Sequence, residues 1–311
     1  MAKAQTVKKK KSALTAYNNW GYLFVAPFVI VFLIFSVYPV LRTFYLSFTD
    51  LKVVGKPNWI WFANYKRVFL DTFFWKALGN TMRIWLVNIV LQLGLAFLLM
   101  VIFSDVKYKM KGLRVFRIVY YLPNLIAATS IAFLFSTFFM FPYGDFNNMV
   151  TAILGLFGKV FQRKDWLGSS NSAGYVIAVI QSWMWFGNSF LMLMAGVQGI
   201  SKDYFEAAAI DGAGRWTIFT RITLPLIRPI LMYVAITSLI GGVQMFDLPY
   251  LMISPSTASY GSVQTAMMYL YKFGFTAGTI QTGYASAIAY ALFLIILSAS
   301  LIQLKIFNRK E

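Results

Sequence analysis

Six stretches of mostly apolar residues recur along this chain, each about as long as a membrane is thick. They fall at about 20–41, 80–103, 115–139, 174–199, 227–252 and 283–307. A helix needs roughly 20 such residues to cross the hydrocarbon core. Inside lipid every backbone N–H and C=O must find its partner within the segment, so each stretch is expected to be a helix. A soluble core has no room for them. Of 311 residues 59% are hydrophobic and 12% charged, where a soluble domain carries about 25% charged. The expectation is an all-α integral membrane protein with six transmembrane helices. Pro123 removes a helix hydrogen bond and predicts a kink in the third span. The first stretch is too long for a cleaved signal peptide and no small-residue cleavage pattern follows it, so it is read as a retained span.

The net charge is +18, from 28 Lys and Arg against 10 Asp and Glu. These cations sit between apolar runs rather than on one soluble face, so they orient helices and do not mark a nucleic-acid partner. The larger share falls on one side. It comprises the tail 1–19 with Lys3, Lys8, Lys9, Lys10 and Lys11, then Lys107, Lys109, Lys111, Arg114 and Arg117. Lys202, Arg215, Arg221 and Arg228 follow, then Lys305, Arg309 and Lys310 at the end. Both termini, including 308–311, are therefore expected in the cytoplasm, with the basic tail touching anionic membrane lipid. Trp59, Trp61, Phe73, Phe74 and Trp75 are expected to form an interfacial belt or a short helix on the membrane, and 140–172 an irregular outer loop. Cys and His are both absent. That excludes disulfides, thiol catalysis and the commonest base and metal ligand, so neither an enzyme nor a metal site is expected. No G-x-x-x-x-G-K-[ST] run provides a phosphate loop.

The segment 200–226 differs from the other loops. Ser201 suits a helix N-cap and Asp203 the positive end of that helix. Ala207, Ala208 and Ala209 favour helix and leave a smooth surface. Asp211-Gly212-Ala213-Gly214 then breaks it, and a second short helix leads through Pro225 into the fifth span. The pattern predicts a compact helical knob. An amphipathic helix resting on the membrane surface has the same pattern.

Glu206-Ala207-Ala208, then Gly212, then Ile222-x-Leu224-Pro225 resembles the EAA motif of binding-protein-dependent ABC importer permeases. The likeness extends over nearly the whole chain. Phe24-Val-Ala-Pro27, Tyr38-Pro39, Tyr121-Leu122-Pro123, Phe246-Asp247 and Tyr284-Ala285-Ser286-Ala287 are similar to the sugar-permease branch, without the large external domain of some maltose-type subunits. The resemblance implies the ABC importer permease fold and a sugar or oligosaccharide moved inward by alternating access. It implies a second homologous permease, an ABC ATPase dimer that binds ATP and Mg, and an extracytoplasmic sugar-binding protein. No cofactor is implied on this chain. The knob becomes a coupling helix: Glu206 contacts the ATPase, Ala207 and Ala208 allow close approach, and Asp211 and Gly212 form the turn.

An acid at membrane depth is a functional-site hypothesis. Asp247 is the one Asp or Glu that falls inside these spans, and Gln244 precedes it by three residues, on the same helical face. Sugars offer hydroxyls to amides and carboxylates and apolar faces to aromatic rings. Gln181, Trp185, Asn188, Gln244, Phe246 and Asp247 are therefore the candidate pathway residues, with Asn88 a further polar residue in a span. Polar residues that merely join helices, and aromatics that merely pack, give the same pattern. A polyol or glycerol phosphate is an alternative cargo, though no basic residue lies deep in the fourth or fifth span. An ion-gradient-driven secondary transporter and a non-transporting scaffold are the other classes. The chain shows neither the repeat nor the acid relay expected of the former.

Overall fold

The computed structural model describes residues 18–53, 55–103 and 112–308. Most of the basic tail, Lys107, Lys109, Lys111, Arg309 and Lys310 lie outside the described residues.

The first helix runs from α1 (Asn18–Phe32) through a π-type turn (Leu33–Val37) into α2 (Tyr38–Ser47). It outlasts its apolar stretch by two turns, and its most apolar part buries nothing against the rest of the chain. The following loop folds back as a cap. Asn64 donates to the carbonyls of Ser47 and Thr49, and Trp59 stacks on Phe48 at 5.3 Å. A short helix, α3 (Ala63–Leu70), leads to α4 (Thr72–Phe103). The second span thus starts eight residues before the expected position. Phe73, Phe74 and Trp75 form its first turn, not a separate surface helix, because Asp71 accepts from the free N–H groups of Phe73 and Phe74. Phe74 is buried.

The third span is bent by 88° between α5 (Leu113–Leu125) and α6 (Ala128–Phe138). The bend lies past Pro123. Ile126 and Ala127 are both extended, each with ψ 135°. The expected irregular loop at 140–172 instead contains α7 (Asp145–Leu156). Its buried Asn147 accepts from the Trp166 indole at 2.9 Å and donates to the Lys164 carbonyl at 3.0 Å. The fourth span is α8 (Ala173–Gln198). The knob follows as α9 (Lys202–Ile210), α10 (Arg215–Ile218), a π-type turn (Phe219–Thr223) and α11 (Leu224–Leu226).

The fifth span, Arg228–Met252, matches its expected stretch within a residue, but its α-helix is interrupted at 244–246, between α12 (Arg228–Val243) and α13 (Asp247–Met252). The cause is Pro249. Lacking an N–H, it cannot donate to the Met245 carbonyl four residues back. The Thr265 hydroxyl takes that carbonyl instead, at 2.7 Å. Helices α14 (Tyr260–Val263) and α15 (Ala266–Phe275) precede the sixth span, α16 (Thr282–Asn308).

Helix α4 lies at the centre. Its first half packs with the first halves of α8 and α16, around Ile84 and Ile177 and around Phe74 and Tyr284. Its last turns pack with the last turns of α8 and with Ile227 at the start of α12. These three helices therefore run parallel and α12 antiparallel. The knob, the start of α5 and the end of α16 share one end of the bundle. The first, third and fifth loops share the other. Glycines let the helices close. A Cβ on Gly187 would stand 1.9 Å from the Tyr120 carbonyl, so α5 crosses α8 at backbone contact. Gly241 and Gly242 seat the rings of Trp185 and Trp85 on α12 in the same way.

Candidate functional site

The knob is built locally. The Ser201 hydroxyl accepts from the Asp203 N–H at 3.3 Å and caps α9. At the other end Asp211, Gly212 and Ala213 donate N–H groups to the carbonyls of Ala207, Ala209 and Ala208. Gly212 makes this turn with φ +73°, a conformation that L side chains resist. Glu206, Ala207 and Asp211 are exposed, as the coupling reading requires of them. Ala208 is not: it is buried at 7% exposure within the chain's own packing. The knob also exposes large apolar groups that sequence reasoning passed over, Ile210 at 87% and Trp216 at 72%.

The six pathway residues fall into two groups. Gln181, Trp185 and Asn188 lie along one face of α8. Gln181 is buried, and its Oε1 has no hydrogen-bond partner among the described residues; the same holds for Oδ1 of Asn88 on α4. Trp185 rests on Gly241 of α12, one turn before Gln244. Gln244, Phe246 and Asp247 sit at the break in the fifth span. Gln244 and Asp247 do not share a helical face, because Phe246 between them leaves the helix with φ −134° and ψ −54°. Both are exposed. Asp247 instead begins α13, where a carboxylate suits the helix N-terminus.

Phe246 stacks on Tyr250 at 4.6 Å and lies 4.9 Å from Tyr271, a partner that no spacing in the sequence announces because it comes from α15. A polar network missed at first, Gln92 to Ser189 at 2.7 Å and the Trp85 indole to the Ser238 carbonyl at 2.9 Å, ties α4, α8 and α12 together. The open groove along α6, 710 Å³ in volume and lined by Thr129, Ser130, Phe133 and Thr137, includes none of the six.

At the end away from the knob, Asp71 accepts from the hydroxyls of Tyr269 at 2.5 Å and Tyr284 at 2.6 Å. Arg67 lies 3.8 Å over the Tyr284 ring and donates to Gln281. Burial opposes ionisation of Asp71, but the two tyrosine hydroxyls and the N–H groups of Phe73 and Phe74 outweigh it and hold the carboxyl below its ordinary value. One side chain thus joins α4, α15 and α16.

A bundle of membrane-long helices, interrupted by a structured knob between its fourth and fifth spans, is the build of a multi-pass membrane permease. The chain belongs to the family of binding-protein-dependent transport system inner membrane components, whose model matches residues 107–310. Among its relatives, the sulfoquinovosyl glycerol transport system permease protein SmoG of Agrobacterium fabrum is 32% identical, over 100% of both chains. The arabinooligosaccharides transport system permease protein AraP of Bacillus subtilis is 30% identical over 92% of this chain and 87% of that protein. A crystallised bacterial ABC transporter that imports the acidic polysaccharide alginate contains a chain of the same fold, with TM-score 0.81 and 23% identity over 97% of this chain and 99% of that one. This chain is a transport subunit of the membrane, not an enzyme.

Proposed function

We propose that this chain is one of two permease subunits of an ATP-driven importer that carries a sugar or oligosaccharide inward by alternating access. The observation that carries the reading is the knob. It is exposed, capped at both ends and continuous with the fourth and fifth spans, so a push on α9 is transmitted to both. Glu206, Ala207, Asp211 and Gly212 form the face toward a separate ATPase, with Ile210 and Trp216 adding apolar contact. A rigid helix held in a moving socket converts closure of the ATPase pair into tilting of the spans. The knob end, with both termini, lies in the cytoplasm, as the clustered Lys and Arg require. The opposite loops face the binding protein.

The cargo class follows from the relatives, which are named for arabinooligosaccharides and sulfoquinovosyl glycerol. The two pathway groups support it. The unpartnered amide oxygens of Asn88 and Gln181 can accept from hydroxyls, and Trp185, Phe246 and Tyr250 offer ring faces. Neither the groove along α6 nor that at 164–172 contains any of the six residues, which fits a path completed by a second permease. The test is purification of the tagged chain from native membranes in mild detergent. An ATPase and a second six-span permease are expected with it, and uptake in reconstituted vesicles should require ATP. Recovery of the chain alone, or uptake that persists without the ATPase, would overturn the proposal.

A further inference from the structure

One ring of the aromatic cluster at the break in the fifth span comes from outside both pathway groups. Phe246 and Tyr250 stack at 4.6 Å, and Tyr271 lies 4.9 Å from the first and 5.3 Å from the second. Tyr271 belongs to α15, in the stretch that precedes the sixth span. The cluster is not sealed as a core would be. Tyr250 is 42% exposed, and Phe246 and Tyr271 are half-buried. Nor does its open side suit lipid. Asp247 and Tyr250, three residues apart, share a face of α13, and Asp247 and Gln244 are both exposed beside the rings. A carboxylate within a span turns to water or to a polar partner rather than to hydrocarbon. The open ring faces therefore border the path, at the end away from the knob.

The opposite side of α15 is tethered. Residues 269 and 271 stand about 200° apart around a helix, so Tyr269 points away from Tyr271. Tyr269 is buried and donates to Asp71 at 2.5 Å. The start of the helix is held as well. The Ala266 N–H donates to the Thr81 hydroxyl at 2.9 Å, and the Thr265 hydroxyl donates to the carbonyl of Met245, the residue before Phe246, at 2.7 Å. Near the other end the Phe273 carbonyl accepts from the Gln281 N–H at 2.8 Å. The place of Tyr271 is thus set from the far side of α15, by Asp71 and Thr81 at the start of α4.

We propose that Tyr271 is a cargo-contacting residue, offering its ring to the apolar C–H face of a sugar unit, and that Asp71 and Tyr269 are positioning residues that hold it against Phe246. The inference rests on the importer reading and its sugar cargo. Asp247 and Gln244, at the edge of the rings, take hydroxyls. The adjoining cation of α15, Lys272, lies over the Phe273 ring at 5.7 Å instead. A ring shelf edged by a carboxylate suits an uncharged sugar unit and repels an anionic one.

The test uses the complete importer in liposomes, with the second permease and ATPase that purify with this chain. The probe is the binding protein recovered with them, carrying the sugar it brings from the cell. ATP hydrolysed per sugar delivered is measured, together with the half-saturating concentration of the binding protein. Tyr271→Ala should raise the ATP consumed per sugar several-fold, because hydrolysis is still stimulated while the sugar is held less well. The half-saturating concentration should not move. Tyr271→Phe keeps the ring and should restore most of the coupling. Tyr269→Phe removes only the hydroxyl that reaches Asp71 and should shift the ratio in the same direction. Added to Tyr271→Ala it should change nothing further, since it acts through a ring already removed. Tyr271→Leu serves if the alanine variant fails to assemble. A native ratio in both Tyr271→Ala and Tyr271→Leu overturns the proposal. So does an equal fall in uptake and hydrolysis, which would make the ring a packing element, and so do additive effects of the two positions. Sugar released by heating the binding protein should be uncharged, and an anionic one would overturn the cargo class. Hydrolysis that no binding protein stimulates, in the intact native complex, would instead sink the importer reading.

Discussion

At the scale of single residues, Asp71 and Gly187 are decisive for opposite reasons. Asp71 supplies the acceptor for two tyrosine hydroxyls, and Tyr284 is almost fully buried. Asp71→Ala leaves both hydroxyls without that acceptor, at about 1–3 kcal/mol. A lower melting temperature of the detergent-solubilised protein is expected, with Asp71→Asn much milder because its amide oxygen still accepts. The pH dependence has a definite sign. The folded carboxyl ionises more readily than the unfolded one, so its stabilisation is complete above the ordinary value of about 3.9 and fades as pH falls through the lower folded value. Melting curves recorded on acidification should show this loss in the native protein and less of it in Asp71→Asn. Gly187 acts through space alone. Gly187→Ala forces a methyl into the Tyr120 carbonyl and should cost at least about 1–3 kcal/mol. Gly94→Ala is the control on the neighbouring span, where nothing lies within 4 Å of the added carbon; thermal unfolding of the two variants separates packing from helix propensity.

At the scale of elements, the knob and the broken fifth span carry the argument. Gly212 turns α9 into α10 with positive φ, where a β-branched residue is strained by roughly 1–2 kcal/mol. Because the turn is exposed, Gly212→Val should barely lower the melting temperature of the span bundle. It should misdirect α9 and reduce ATP-driven uptake by about tenfold, since each 1.4 kcal/mol of lost docking is tenfold. Glu206→Lys should give the same split between uptake and stability. Equal loss of both would mean that the knob is merely structural. In the fifth span the Met245 carbonyl depends on the Thr265 hydroxyl. Thr265→Val removes that donor together with the cap of α15, and should destabilise the far end by about 1–3 kcal/mol. Faster hydrogen exchange in 244–275 would report it.

At the scale of the whole molecule, the parallel arrangement of α4, α8 and α16 places knob and loops at opposite ends, so a signal crosses the full length of the bundle. An importer powered by its ATPase should keep transporting when ionophores collapse the ion gradients and stop when ATP is withdrawn. An ion-driven carrier would do the reverse. Uptake by reconstituted vesicles under the two treatments decides between them. The span of α1 and the π-type turn buries nothing in this chain, so its apolar surface is left for lipid or a neighbouring subunit.

The segments that cross the membrane and the existence of the knob were legible from the residues alone. Lipid allows no unpaired backbone, which makes apolar length a direct statement of helix. The run Ser201 to Gly214 contains its own cap, helix and stop. The fourth and sixth spans accordingly lie within a residue of their expected ends. Contacts between distant segments decided the rest. The interruption of the fifth span at Pro249 was not read from the sequence, and it needed Thr265 to satisfy the freed carbonyl. Tyr271 joined Phe246, and Tyr269 and Tyr284 joined Asp71, from elements far along the chain. Ala208 and Ala207 are identical in the sequence, yet packing buries one and exposes the other. Local backbone chemistry can be read from neighbours in sequence, whereas the partners of a polar or aromatic side chain are set by which helices the bundle brings together.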